Sequence, residues 1–422
     1  MTLQAGIEPD PPPQLALMGA FAFPFPQGSQ IFFAEQARAL TAAGARPTLL
    51  CYGRGSDHAP GDLERITPPA WLAPRAMGSG PRWAKPLADL ALLGTWQAAA
   101  RRARQQQQPF EFVLAHNAEA AIIALAARRT TRVRVVYVAH TLLQHELSAY
   151  LPERLAREAG RAGQQIERSI ARRADGVITL CEATQRALSP HARADVALIP
   201  PSFEARPAPN AQAQAQSCQK HGLVPGHYTL YSGNLDRYQE LDLLARAASQ
   251  LPVSAGPLVV ATHALPSSKQ PNPGPARLLR VRVRDFEEMR HLIHAAGCLV
   301  APRRRIGGFP IKLLNYMEAG RPIVAFAGAA PGLKADESAW IIAPEDPGVP
   351  DEKDPRSQAA HALTHALTRL SADPELGRRL GAGARRQLET RHPGRRIAAE
   401  TLDYLAGLPG PFRRPNPHPP RC

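Results

Sequence analysis

The chain has 422 residues, about three times the length of a typical domain, so more than one domain is expected. Hydrophobic residues make up 44% and charged residues 21% of the sequence, which excludes a largely disordered or fibrous chain. The formal net charge of +15 suits phosphates, anionic lipid surfaces or nucleic acid as partners. No apolar run approaches the ~20 residues of a transmembrane helix, and the first thirteen residues contain neither Lys nor Arg. We therefore expect a cytoplasmic protein without a signal peptide.

The sequence lacks the common signals of metal binding. Five cysteines lie far apart with no C-x-x-C spacing, and neither H-E-x-x-H nor D-x-D occurs. These features argue against a disulfide framework, a zinc site and a nucleotide held through a carboxylate-bound metal. Only six of the 51 basic residues are lysines, so a lysine within a motif is more informative than an arginine.

In the first half of the chain, short apolar runs alternate with helical patterns. Strands are predicted at Leu15–Ala20, Pro47–Tyr52, Phe112–Ala115, Val133–Ala139, Gly176–Leu180 and Val196–Ile199. Helices are predicted at Ile31–Ala43, Asn117–Ala127, Pro152–Arg173 and Glu182–Leu188. The Pro- and Gly-rich segment Asp57–Pro86 breaks this alternation, so a long loop is expected there.

The alternation restarts in the second half. Strands are predicted at Tyr228–Tyr231, Leu258–Ala261, Leu279–Val283, Cys298–Ala301, Ile323–Phe326 and Ala339–Ile342. Helices are predicted at Glu240–Ser249, Phe286–Ala296, Ile311–Glu318, Ser357–Leu370, Leu376–Thr390 and Arg395–Leu408. Strand–helix alternation is typical of parallel sheets with helices on both faces, so the pattern predicts two doubly wound α/β domains.

The composition divides the chain into six segments. They are a disordered tail at 1–13, an N-terminal Rossmann-like domain at 14–200, a linker at 201–219, a C-terminal Rossmann-like domain at 220–394, a last helix at 395–408, and a disordered tail at 409–422. In such sheets ligands bind beyond the carboxyl ends of the strands.

Two places in the first half could take part in chemistry. Gly28 permits a tight turn before a predicted helix, and Ser29 can cap that helix, although by themselves these residues favour an ordinary helix cap. His140 follows a buried strand, where it would point into a cleft, and a structural histidine is an equal alternative.

The richest stretch is Ala301–Val324, which reads as strand, Gly-rich loop, helix and strand. Lys312 falls in the first turn of that helix. A cation there interacts unfavourably with the helix dipole, which costs roughly a few tenths of a kcal/mol of stability. A bound anion would reverse this penalty. Because glycines, cations and a helix start converge here, the stretch predicts an anion site.

Several segments in order along the chain carry a family resemblance. They are residues 26–30, Tyr137–Thr141, Ala174–Glu182, Leu198–Pro201, Tyr231–Leu235 and Gly308–Val324. On these segments the whole chain, both tails excepted, resembles a family 4 glycosyltransferase of the GT-B fold. The resemblance implies two Rossmann-like domains facing a cleft, with the helix at 395–408 as a closing helix that returns to the N-terminal domain. It also implies transfer of a sugar, with retention, from a nucleotide sugar to an acceptor. It also implies that neither a metal nor a cofactor is needed.

The resemblance also assigns roles to residues. His140 corresponds to the histidine that contacts the donor sugar near the reacting carbon, and it is the predicted catalytic residue. The donor would bind mainly to the C-terminal domain and the acceptor to the N-terminal one. The predicted donor-binding residues are Gly28, Ser29, Gly233, Asn234, Arg237, Arg303, Gly307, Gly308, Phe309, Lys312 and Asn315.

Four charged donor contacts of the family are absent. The positions of two glutamates read Gly307 and Asn315, and those of an arginine and a lysine read Asn234 and Gln239. We expect Arg303 and Lys312, with Arg237 nearby, to supply the charge instead. An inactive GT-B module that binds a nucleotide or a partner protein, or an epimerase-type enzyme on the same fold, remains an alternative.

The acceptor is not readable from the sequence; a surface glycan, a glycolipid or a metabolite would fit. The basic, amphipathic segment Leu151–Arg173 could rest peripherally on an anionic membrane at its inner face. A solvated helix that turns its apolar stripe to its own core is the favoured interpretation. Nucleic acid is not expected as a partner, because no basic motif is interleaved with aromatic residues.

Overall fold

The computed structural model describes residues 12–24, 28–53, 63–72, 85–150, 153–263, 277–304, 307–343 and 354–410. The chain forms two compact units. The first unit comprises Met1–Glu204 and His392–Cys422, and the second comprises Ala205–Arg391. The predicted tails lie almost wholly outside the described residues, as does most of the predicted loop at Asp57–Pro86.

The first unit is a parallel α/β domain. Its strands are β1 (Gln14–Ala22), β2 (Arg46–Tyr52), β3 (Arg65–Ile66), β4 (Phe112–His116), β5 (Arg134–Ala139), β6 (Gly176–Thr179) and β7 (Val196–Leu198). Its helices are α1 (Gly28–Ala42), α2 (Lys85–Gln105), α3 (Asn117–Ala126), α4 (Arg128–Thr131), α5 (Leu143–Tyr150), α6 (Glu153–Arg173) and α7 (Glu182–Leu188), besides a C-terminal helix described below. The strand order is β3-β2-β1-β4-β5-β6-β7. Helices α2 and α5 are absent from the sequence-based prediction.

The second unit repeats this architecture. Its strands are β8 (Thr229–Ser232), β9 (Leu258–Thr262), β10 (Leu278–Arg282), β11 (Cys298–Ala301), β12 (Ile323–Phe326) and β13 (Trp340–Ile342). Its helices are α8 (Ala211–Lys220), α9 (Asp242–Gln250), α10 (Phe286–Ala295), α11 (Lys312–Ala319), α12 (Pro355–Ala372) and α13 (Pro374–Arg391). The strand order is β10-β9-β8-β11-β12-β13, with parallel pairing. The prediction of two parallel-sheet α/β domains is confirmed.

The apolar strands explain both cores. Strands β4 and β5 are almost entirely buried, as are β8 and β11, because helices cover both faces of a parallel sheet. In each unit the strand order reverses at one place, between β1 and β4 in the first sheet and between β8 and β11 in the second. Such switch points open a crevice at the carboxyl ends of the strands.

The predicted linker at 201–219 differs from the structure. Its second half forms α8, whose first turn is capped by the Asn210 side chain, which accepts a hydrogen bond 2.7 Å long from the Ala213 N–H. Lys220 at the end of α8 pairs with Glu288 of α10 at 2.5 Å. Ala and Gln favour helices. The composition resembled that of a linker because α8 is mostly polar, with a single fully buried residue, Cys218. The boundary between the units lies at Glu204 and Ala205.

The C-terminal helix α14 (Gly394–Gly407) belongs to the first unit, where it contacts α1. The Tyr404 hydroxyl accepts a hydrogen bond from the Val177 N–H at 2.8 Å and donates one to the Asp195 carbonyl at 2.7 Å. The C-terminal domain was predicted to extend to residue 394, whereas the chain re-enters the first unit at His392. There the His392 ring bonds the Pro201 carbonyl at 2.7 Å.

Helix α6 packs through small residues and through only part of its apolar stripe, since Ile170 is buried in the core of the first unit. Leu155 and Ile166 are 49% and 38% exposed, so the favoured interpretation of a stripe turned to the core is wrong for these positions. The close contact is made by Gly160 and Gly163: a Cβ at Gly163 would lie 2.9 Å from the Gln144 nitrogen of α5. Leu155 and Ile166 therefore lie at the edge of the packed face. Leu151 lies outside the described residues. No helix in the described part of the chain is long and apolar enough to cross a membrane.

Gly163→Ala should destabilise the protein by about 1–3 kcal/mol, because the new methyl group meets backbone atoms that cannot rotate away. The matched control is Gly94→Ala in α2, where a Cβ would meet no atom within 4 Å. That substitution should stabilise the protein by about 0.5–1 kcal/mol, because alanine loses less backbone entropy in a helix. Urea unfolding of both variants measures the difference. Equal effects of the two substitutions would contradict this account of the α5–α6 contact.

Candidate active site

Lys312 lies at the switch point of the second sheet, as the first residue of α11. Its Nζ is 3.9 Å from the centroid of the Tyr231 ring, and Tyr231 is the third residue of β8. The same Nζ donates a hydrogen bond of 2.9 Å to Oε1 of Gln239. Gln239 stands at a position where the resemblance implies a cation. Its amide therefore binds Lys312, the residue that we expect to replace that cation.

Gly233 keeps the turn after β8 open. It adopts a φ of +137°, which favours glycine, and a Cβ there would lie 3.5 Å from Lys312 Nζ. The next residue, Asn234, donates hydrogen bonds to the Asp236 carboxylate at 2.5 Å and the Tyr238 hydroxyl at 3.1 Å. The backbone after β8 therefore runs directly beside the ammonium group.

Arg303 shapes the glycine-rich loop after β11. Its side chain is buried, and Nη2 donates a hydrogen bond of 3.0 Å to the Gly308 carbonyl. A Cβ at Gly307 would lie 3.2 Å from Nη1 of Arg303, so glycine leaves room for the guanidinium group. Phe309, also buried, follows in the same loop.

The two cations influence each other. Burial and then the nearby Arg303 charge lower the pKa of the Lys312 ammonium group well below its usual value. Among the described residues no carboxylate pairs with Lys312, whose recorded partners are a neutral amide and an aromatic ring. This part of the second unit therefore places two basic side chains close together.

A second arginine holds the same loop in another way. Arg304 binds Glu240, with Nη2 at 2.8 Å from Oε1 and the backbone N–H donating to Oε2 at 2.7 Å. This ion pair joins the loop after β11 to the turn after β8. The Tyr316 hydroxyl of α11 also accepts a hydrogen bond from the Ser232 N–H at 2.8 Å, which fixes α11 against β8.

The other predicted donor-binding residues differ in their burial and in their distance from Lys312. Asn315 lies half-buried one turn after Lys312, on the same helix. Arg237 lies in a 3₁₀ turn (Arg237–Gln239) with an exposed side chain, so it is not part of the buried cluster. Gly233, Arg303, Gly307, Gly308 and Lys312 are brought together.

In the first unit, His140 follows β5 and is almost fully buried. Its Nε2 lies 2.9 Å from Nδ1 of His116, the last residue of β4. Burial lowers the pKa of His140 to about 3, and burial together with His140 lowers the pKa of His116. Sequence reasoning missed His116, although it ends an apolar run just as His140 follows one.

Helix α1 packs beside this histidine pair. The Phe32 ring lies 5.1 Å from the ring of His140, and the Phe33 ring lies 4.9 Å from that of His116, measured between centroids. Gly28 is the first residue of α1, and Ser29 lies inside the first turn rather than at the predicted capping position. Pro26 and Gln27, which belong to the family resemblance, lie outside the described residues.

Within the described ranges, no group of three or more His, Cys, Asp or Glu side chains is placed to hold a metal ion.

Comparisons with known proteins agree with this architecture. Residues 26–205 match the model of Glycosyltransferase Family 4, and residues 226–352 match that of Glycosyl transferases group 1. No curated protein matches the chain by sequence.

Solved structures show the same fold. Sucrose-phosphate synthase from Thermosynechococcus elongatus superposes with a TM-score of 0.70 at 19% identity, covering 93% of this chain and 98% of that one. HepE from Anabaena in complex with UDP-glucose has a TM-score of 0.65 at 15% identity, covering 94% and 100%. WaaG, a glycosyltransferase involved in lipopolysaccharide biosynthesis, has a TM-score of 0.62 at 16% identity, covering 93% and 100%. The two family models follow each other along the chain and fit its two units, so the chain belongs to the GT-B glycosyltransferases, with a family 4 N-terminal domain.

Proposed function

We propose that this glycosyltransferase moves a sugar from a nucleotide-sugar donor to an acceptor hydroxyl with retention, and that Arg303 and Lys312 bind the donor diphosphate. The observation that carries the proposal is the pair of cations beside two glycine turns at the switch point of the second sheet. Lys312 has no carboxylate partner among the described residues, although its ammonium group is partly desolvated. A diphosphate would supply the missing negative charge.

The donor class is supported by the structural relatives. HepE, which has this fold, has been solved with UDP-glucose. A nucleotide sugar carries a diphosphate for the cations and ribose hydroxyls for a neutral hydrogen-bonding group. We propose that Asn315 contacts a ribose hydroxyl, since an amide can both donate and accept. The donor base and sugar are open to a binding screen with UDP-, GDP- and ADP-sugars.

The proposed reaction needs no protein nucleophile. The bond between the anomeric carbon and the β-phosphate oxygen breaks, and the acceptor oxygen bonds to the same face of the sugar. The acceptor proton moves to the leaving phosphate oxygen, so charge and atoms balance. We propose that His140 hydrogen-bonds the donor sugar. With a pKa of about 3 it is neutral at physiological pH and unsuited to hold the transferred proton.

The acceptor side is proposed to meet an anionic membrane. Helix α6 exposes the apolar side chains of Leu155 and Ile166 and also the basic side chains of Arg154, Arg157 and Arg161, and this combination fits the interface of acidic lipids. A glycolipid acceptor would then be presented at that surface.

Lys312→Met should reduce nucleotide-sugar affinity roughly 10- to 150-fold, because it removes a charge-assisted hydrogen bond to the diphosphate. The stability of the ligand-free protein should stay the same or rise, since a poorly solvated cation beside Arg303 is removed. Lys312→Arg should not restore affinity, because a guanidinium has a different reach and shape. Asn315→Ala should give a smaller loss.

The matched control is Lys334→Met, an exposed lysine whose partner Glu337 is also exposed. Calorimetric titration with UDP-glucose and the related sugars measures all four variants. If the parent binds no nucleotide sugar, or if Lys312→Met binds as the parent does, the inactive-module interpretation takes precedence.

Donor binding should survive removal of divalent metal, because cationic side chains are proposed to neutralise the diphosphate. Titrations with and without EDTA should give the same affinity within about twofold, well below the effect of one lost hydrogen bond. Loss of binding in EDTA that is restored by Mg²⁺ or Mn²⁺ would contradict this phosphate site.

Replacing Arg154 and Arg161 together by Gln should weaken binding to acidic vesicles about 30-fold, since each arginine near such a surface contributes about 1 kcal/mol. The control is Arg378→Gln with Arg385→Gln on α13, where Arg378 forms an exposed i,i+3 pair as Arg161 does. Co-sedimentation with phosphatidylglycerol-containing and pure phosphatidylcholine vesicles measures the difference. Equal binding to both vesicle types would overturn the membrane proposal.

A further inference from the structure

The geometry points to His116 as a positioning residue that fixes His140 in one neutral tautomer, with the proton on Nδ1. His116 ends β4 and is fully buried, and its Nδ1 lies 2.9 Å from Nε2 of His140. One of these two nitrogens must carry the shared proton. Which one carries it decides whether His140 offers a donor or an acceptor to a ligand.

The second nitrogen of His116 decides between the two arrangements. Nε2 of His116 is buried and has no hydrogen-bond partner among the described residues. The rings of Phe32 and Phe33 pack against His116, with centroids at 5.4 and 4.9 Å. The surroundings of His116 are therefore aromatic on the α1 side.

A neutral imidazole has one N–H and one bare nitrogen. If His140 donated to His116, the proton of His116 would sit on Nε2, as a buried N–H without an acceptor. Unpaired buried N–H groups are the rarest kind of unsatisfied polar group in proteins. If His116 donates from Nδ1 instead, its Nε2 is bare and only a lone pair is left without a partner. The second arrangement is therefore favoured.

The consequence for His140 follows directly. Its Nε2 accepts from His116, so its single proton lies on Nδ1, the nitrogen that the pair leaves available to a ligand. Both rings stay neutral, because a second proton on either would place a charge in this buried pair. His140 then presents a fixed N–H donor, which suits an oxygen of a sugar or phosphate. Naming that ligand rests on the proposed function, whereas the tautomer itself does not.

The tautomer can be measured without any ligand. Long-range ¹H–¹⁵N correlation spectra of the full-length protein, labelled with ¹⁵N-histidine, distinguish protonated from bare ring nitrogens. The His140 signals are identified by their loss in His140→Phe. In the parent we expect the proton on Nδ1 of His140, in roughly tenfold or greater excess over the Nε2 form.

Two variants of His116 test its role. His116→Phe keeps the ring shape but removes the donor, so the excess of the Nδ1 form should be lost. His116→Asn places an amide N–H where the imidazole Nδ1–H stands, so the excess should return. Affinity for UDP-glucose should fall roughly five- to tenfold in His116→Phe and recover in His116→Asn.

A parent spectrum with the proton on Nε2 of His140 would overturn the inference by itself, even if His116→Phe fails to fold. An unchanged tautomer in a folded His116→Phe would do the same. A parent that shows the Nδ1 tautomer but binds none of the UDP-, GDP- and ADP-sugars would support the inference and contradict the proposed donor class instead.

Discussion

The cluster around Lys312 depends on one electrostatic constraint: two basic side chains, Arg303 and Lys312, lie close together, and in the described part of the chain no carboxylate pairs with Lys312. Neighbouring groups reduce the energetic cost of holding these two charges close together. Tyr231 offers the face of its ring and Gln239 offers an amide oxygen to the ammonium group, while the Gly308 carbonyl accepts from the guanidinium. The Tyr231 ring and the Gln239 amide hold the ammonium group of Lys312 in place without cancelling its charge. The cluster therefore suits the proposed binding of a diphosphate.

The backbone around this cluster follows from the same constraint. Gly307 leaves space for the guanidinium group, since a Cβ there would lie 3.2 Å from Nη1 of Arg303, whereas at Gly233 the φ of +137° favours glycine beside Lys312. Arg304 takes no part in the anion site, because Glu240 binds it and thereby ties the loop after β11 to the turn after β8. The two adjacent arginines of this loop therefore have different roles. Arg303 fixes the conformation of the glycine-rich loop, and Arg304 links that loop to the turn after β8.

Much of this architecture could be predicted from the sequence, because buried parallel strands such as β5 and β11 are continuous apolar runs with clear ends. The glycine–cation convergence around Lys312 was also visible, since lysine is rare in this chain. Helix α8 was not, because its sequence is polar and its contact with α10, which includes the ion pair between Lys220 and Glu288, joins residues far apart in the chain. His116 was missed for a similar reason: its role depends on its contact with His140, which follows the neighbouring strand, and no local sequence pattern specifies that contact. The exposure of Leu155 and Ile166 depends on which face of α6 carries the glycines.

The most direct test of the central claim is the pKa of Lys312 itself, with and without UDP-glucose. The chain has only six lysines, so NMR of protein labelled at the lysine side chain can resolve them, with Lys312→Met identifying the signal. The account predicts a pKa well below the usual lysine value in the free protein, because burial and Arg303 disfavour the charge. It predicts a rise when the diphosphate binds. A Lys312 pKa that is ordinary in the free protein, or that stays unchanged when UDP-glucose binds, would contradict the account.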